Sequence, residues 1–99
     1  MAYDIIWAPA AKRSFIKILT FLEENWTQKE VKAFIQRSEK MFGLIREKPS
    51  LFQYSKTSNT YRCVLSPQTS LFYRVNSEEL EIELLIFWDN RQDPDELLL

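Results

Sequence analysis

Ninety-nine residues, 45% apolar and 27% charged, make one domain (1–99) with a single core and no room for a second. One cysteine and no histidine exclude an internal disulfide and a zinc site built on those side chains, and suit a reducing cytoplasm. The net charge of −1 conceals a polarity along the chain, because residues 1–74 hold twelve Lys or Arg against six Asp or Glu and residues 75–99 hold one against eight.

A basic body favours polyanionic partners, and the acidic end can oppose them or fold back on the basic surface. No apolar run approaches the roughly 18 residues of a membrane span, and the N-terminus lacks a secretory pattern, so a cytoplasmic protein without membrane association is expected.

Residues 3–7 form a short β-like run with Ile5 and Trp7 on one side and Asp4 and Ile6 on the other. Pro9 suits the first turn of a helix, where its missing N–H leaves no bond unmade. Ala8, Ala11, Phe15, Ile18, Leu19, Leu22 and Trp26 then recur at helical spacing as one apolar stripe. Thr27 and Glu30 have the spacing of a capping box, so a second helix starts near residue 28. Its stripe is Val31, Phe34, Ile35, Ser38, Met41, Phe42 and Ile45, and it should end before Pro49. So short a connection makes the two helices an antiparallel hairpin.

Residues 49–60 read as a loop anchored by Leu51 and Phe52. Residues 61–65 and 71–75 read as strands around a turn, and a second turn at 76–79 leads into the last strand. That strand begins with alternation and becomes apolar on both faces, which places it inside a sheet. Strict alternation puts Leu85 and Phe87 on the face opposite Ile82, Leu84, Ile86 and Trp88. If the hairpin covers one set, the other is covered by a partner, by the first strand or by the long loop. Leu97 and Leu98 add apolar surface nearby. The polar turn after the strand delivers Arg91 just beyond its end. The expected fold is α+β: a strand, a helical hairpin and a three-stranded meander (β-α-α-β-β-β) in a two-layer sandwich with a mainly antiparallel sheet.

This order, together with Tyr3-Asp4-Ile5-Ile6-Trp7-Ala8-Pro9, the Ile45-to-Pro49 spacing, Tyr61-Arg62, Leu71-Phe72-Tyr73-Arg74-Val75 and the ending from Leu85 to Pro94, resembles the RelE/ParE superfamily of type II toxin–antitoxin toxins, in the form of its ParE-like members. The resemblance implies a toxin of a plasmid-stabilisation module that a cognate antitoxin neutralises by forming an oligomeric complex with it. It also implies one of two targets: DNA gyrase, inhibited by binding, or messenger RNA cut on the ribosome. A homologue that binds antitoxin but has lost toxicity is a third possibility.

Metal-independent RNA cleavage needs a base, an acid and fixed cations for the charge developing on phosphate. Without histidine, Arg91, Arg62, Lys56 and Tyr73 are the candidate catalytic set. Of the lysine, arginine and tyrosine positions used by histidine-free ribonucleases of the superfamily, Ser70, Cys63 and Leu97 stand at three, and Arg91 alone matches. The expectation is therefore inhibition by binding, with Arg62, Arg74 and Arg91 as target contacts and Leu85, Phe87, Leu97 and Leu98 as antitoxin contacts. No metal or cofactor is expected: Asp89, Asp93, Asp95 and Glu96 lack the glycine and alternation of a calcium loop.

Overall fold

The computed structural model describes residues 2–93 and 96–97. Pro9 opens helix α1 (Pro9–Asn25), which closes when the N–H of Trp26 donates to the Leu22 carbonyl at 2.8 Å. Trp26 thus falls outside the helix and is 59% exposed, so the stripe expected through it stops at Leu22. Helix α2 (Gln28–Glu47) starts at the capping box: the Glu30 carboxylate accepts the Thr27 N–H at 3.1 Å and also the Thr27 hydroxyl. The hydroxyl bond holds the Glu30 carboxyl below the usual carboxylate range.

Strands β1 (Asp4–Trp7), β2 (Gln53–Ser55), β3 (Thr60–Ser66), β4 (Thr69–Asn76) and β5 (Glu81–Asp89) form one sheet in the order β1-β5-β4-β3-β2. β1 runs parallel to β5 and every other pairing is antiparallel. The last strand is interior, as its two apolar faces require. The stretch expected to be a loop instead holds a single 3-10 turn, Pro49–Leu51, and the edge strand β2. β2 is held by pairing with β3, Tyr54 opposite Tyr61, a tertiary cause that its own exposed residues do not signal. Leu51, expected as an anchor, is 60% exposed, while the Phe52 ring stands edge-on to Tyr73.

The helical hairpin covers one face of the sheet. Ala11, Phe34 and Ile45 meet Cys63, Leu65, Leu71, Tyr73, Ile82, Leu84 and Phe87 in the core. Trp7 stacks on Phe87 with ring centres 5.6 Å apart, and Phe15 meets both rings edge-on or tilted at 5.2 and 5.0 Å. Such aromatic contacts each add about 0.5–1.5 kcal/mol to the burial term.

A bulge in β5 overturns the expected division of its faces. Phe72 pairs with Ile86 and the next residue, Tyr73, pairs with Leu84, so Leu85 is an extra residue in β5. Alternation restarts after it. Ile82, Leu84 and Phe87 all point into the core, while Leu85, Ile86 and Trp88 line the other side. The extra residue reverses which side each later side chain occupies.

β1 ends at Trp7, leaving the second half of β5 without a strand on that side. The chain of α1 takes its place: Ala8 N–H donates to the Leu84 carbonyl and the Ser14 hydroxyl accepts the Phe87 N–H, both at 2.9 Å.

Candidate functional site

The sheet face away from the helices is the surface on which the charged strand residues collect. Arg62 lies opposite Phe72 across β3 and β4, and Arg74 lies two residues beyond Phe72, so both arginines share this open face. Their side chains lean toward opposite ends of it. Arg62 Nε donates to Ser70 Oγ at 2.9 Å and Nη2 to Asn90 Oδ1 at 3.1 Å, while Ser70 Oγ itself donates to Asn90 Oδ1 at 2.8 Å. Asn90 is fixed in turn by its N–H on the Gln68 carbonyl at 2.7 Å and its Nδ2 on the Pro67 carbonyl at 3.3 Å. Among the described residues both partners of Arg62 are neutral, so none of them neutralises the guanidinium. Such a fork is suited to a carboxylate or phosphate.

Arg74 donates from Nε to the Asn59 carbonyl and from Nη2 to the Ser58 carbonyl, each at 3.1 Å, in the turn between β2 and β3 that also carries the exposed Lys56. That turn accommodates Asn59 at φ 52°, a left-handed conformation that asparagine tolerates. Arg74 and Lys56 therefore belong to one end of the face, and Arg62 with Asn90 and Arg91 to the other.

Arg91 differs from the other two. Its guanidinium grips Asp89 through Nε–Oδ1 at 3.0 Å and Nη2–Oδ2 at 2.8 Å, with the side chain 68% exposed. The hydrogen bonds from Arg91 hold the Asp89 carboxyl below the usual carboxylate range. Charge on Arg91 is thus locally balanced, in a way that charge on Arg62 is not among the described residues.

The expected catalytic four are not assembled. Tyr73 faces the helices, is wholly buried, and donates its hydroxyl to the Pro49 carbonyl at 2.6 Å. Burial raises its pKa well above the ordinary tyrosine value, against any role as a proton donor that cycles near neutrality. Arg62 is on the opposite side of the sheet and Lys56 at a remote turn. Tyr61 also faces inward, stacked on Tyr73 with centres 5.2 Å apart. Cys63 is buried in the core, its thiol pushed up to about 11 by burial.

Beside the arginines, Leu85, Ile86 and Trp88 line an apolar groove of about 350 Å³ with Arg74, Glu96 and Leu97 on its walls. Of the four expected antitoxin contacts, Leu85 and Leu97 meet in this groove. Phe87 does not: it is 4% exposed and packed among Trp7, Phe15 and Phe42, because the bulge turned it inward. Leu98 lies outside the described residues. Reading the sequence by strict alternation missed Ile86 and Trp88 as members of this surface and missed the Ser70–Asn90 support of Arg62. The Asp-Asn pair directly after an apolar strand was the available signal for the latter, since asparagine in such a turn has side-chain donors and acceptors to spare.

Residues 5–94 match the family model described as ParE toxin of type II toxin-antitoxin system, parDE. No curated protein sequence matches the chain. Among solved structures, the chromosomal ParDE toxin–antitoxin system from P. aeruginosa aligns with a TM-score of 0.71 at 13% identity, over 89% of this chain and 96% of that one. The E. coli RelBE complex aligns with a TM-score of 0.62 at 14% identity over 92% and 100%. The RelBE2 complex from Mycobacterium tuberculosis gives 0.60 at 15% identity over 91% and 100%. At these identities the structural matches show a common fold.

Proposed function

The chain belongs to the ParE toxin family of type II toxin–antitoxin systems, and from that premise we propose that it acts by binding and inhibiting a target in the cytoplasm, with DNA gyrase as that target. The observation that carries this reading is Arg62, held by the neutral Ser70 and Asn90 so that a fixed, unbalanced cation is presented on the open sheet face. A cation so placed recognises charge. Cleavage would also need an acid and a base, and Tyr73, the tyrosine of the candidate catalytic set, points into the core with Tyr61 stacked on it.

A cognate antitoxin is the second partner in this reading, as in a plasmid-stabilisation module. The names of those structural neighbours that are toxin–antitoxin complexes support it. The groove of Leu85, Ile86, Trp88 and Leu97 is apolar with Arg74 and Glu96 at its rim, the composition that suits an amphipathic segment. An antitoxin laid there would border Arg74 and exclude the target from that end of the face.

The test is induction of the chain alone in cells, with DNA supercoiling and messenger RNA integrity followed together. Loss of supercoiling with intact messages, reversed by Arg62→Ala, is the expected result. Message cleavage on ribosomes would replace inhibition by ribonuclease activity. Unimpaired growth at high expression would mark a homologue that keeps its antitoxin and has lost its toxicity.

A further inference from the structure

Helix α2 buries Val31, Phe34, Ser38 and Ile45, of which Phe34 and Ile45 join the core against the sheet, and its opposite side is left to solvent. Along that side Lys29, Lys32, Gln36, Lys40 and Gly43 recur at three- and four-residue steps, and all five are exposed. Arg37 lies on the flank toward Lys40, and Glu39 and Glu47 stand at the other flank and the far end. Among the described residues, none of Lys29, Lys32, Arg37 and Lys40 is ion-paired, and none has an acidic residue three or four positions away along the helix. Lys29 with Lys32 and Arg37 with Lys40 instead form like-charge neighbours, an arrangement that weakens an isolated helix.

Gly43 adds an independent observation. It sits inside the helix, where glycine is less stable than alanine, and a Cβ built on it meets nothing within 4 Å. No contact among the described residues accounts for the missing side chain. A bare stretch of backbone on an exposed ridge is what a partner backbone approaching closely would use.

We propose that this ridge of α2 is a docking site for the phosphate backbone of duplex DNA. From Lys29 to Gly43 it is about 21 Å long at 1.5 Å per residue, enough to follow several phosphates spaced about 3.4 Å apart along a strand. A helix about 10–12 Å across fits the major groove of B-form DNA, roughly 12 Å wide; the deep, narrow groove of an A-form duplex does not admit it. The ridge carries no aromatic residue, which separates it from surfaces that stack single-stranded bases. It lies on the helix layer, opposite the sheet face bearing Arg62, so the two surfaces can be engaged at once and tested separately.

The experiment is fluorescence anisotropy of the full chain with a labelled 20-base-pair DNA duplex across a salt series. The same sequence as an RNA duplex, and polyglutamate, serve as competitors. Three lysine contacts predict a slope of log affinity against log salt near −2.7, at about −0.9 per phosphate. The Lys29→Ala, Lys32→Ala, Lys40→Ala triple variant should lose most of that slope and at least tenfold in affinity while keeping its melting temperature. Gly43→Ala should melt higher and bind DNA severalfold more weakly. Undiminished DNA binding by the lysine variant, a Gly43→Ala protein that gains stability with no loss of affinity, or equal competition by the RNA duplex or polyglutamate would each overturn the proposal.

Discussion

The hydroxyl of Ser14 accepts the backbone N–H of Phe87 at 2.9 Å and donates to the Ala10 carbonyl at 2.7 Å, so a helix side chain replaces the strand that β5 lacks beyond Trp7. Ser14→Ala leaves the Phe87 N–H without a partner in a partly buried setting, at a cost of about 1–3 kcal/mol. For a domain of this size each kcal/mol lowers the melting temperature by about 4–8 °C. Thermal unfolding by circular dichroism reads the loss directly. An unchanged midpoint would mean that water satisfies the N–H just as well.

Arg62→Lys keeps the charge and removes the fork. Ser70 and Asn90 bond each other directly at 2.8 Å without relying on Arg62, so the fold should hold in the variant. Target inhibition should fall by tenfold or more, equivalent to about 1.4 kcal/mol, with the melting temperature within a few degrees of the parent. Arg91→Lys should have a smaller effect, because the Arg91 charge is already balanced by Asp89. Dose–response curves for the two variants side by side distinguish a general need for positive charge from this particular placement.

The buried Cys63 thiol gives a pH dependence. Its folded value of about 11 lies above the ordinary thiol value of about 8.5. The folded state therefore holds the proton more tightly, and stability contributed by the neutral thiol is intact below pH 8.5 and is lost as pH rises toward 11. Denaturant titrations between about pH 8 and 10, below the range where the buried Tyr73 adds its own loss, should show this decline, and Cys63→Ala or Cys63→Ser should flatten it there. At pH 8 a thiol reagent should label the folded protein far more slowly than the unfolded chain.

Leu80 sits at φ 53° in the turn before β5, in the left-handed region that costs a residue with a side chain roughly 1–2 kcal/mol. Its carbonyl is committed to the Asp4 N–H at 2.9 Å, which ties this conformation to the start of β1. Leu80→Gly should relieve the strain and stabilise the protein by about 1 kcal/mol, less the extra entropy of glycine when unfolded. A lowered melting temperature would show that the partly exposed leucine side chain contributes more by packing than its backbone costs.

The elements encoded by nearby residues are legible in the sequence: the hairpin from two apolar stripes, its second start from Thr27 and Glu30, the interior position of β5 from apolar residues on both faces. Features set by pairing are not. One extra residue at Leu85 decides whether Phe87 faces a partner or the core, and neither residue carries a local mark of it, since leucine fits a bulge and a regular strand alike. β2 exists because Tyr54 meets Tyr61. At the candidate site the sequence offered Arg62, Arg74 and Arg91 as expected contacts but not their differing states, because Asp89, Ser70 and Asn90 become partners only through turn geometry and register.

The parallel pairing of β1 with β5 has a kinetic side. β1 has β5 as its sole strand neighbour in the sheet, so the first strand cannot take its place until the last has been made. Closing so long a separation is slow compared with forming the helical hairpin, which needs only nearby residues. A nascent chain thus carries its helices early and completes its sheet, with the arginine-bearing face, only after β5 has been made. Until β5 is made, β4 keeps an unpaired edge, and such an edge is a template on which another chain can pair.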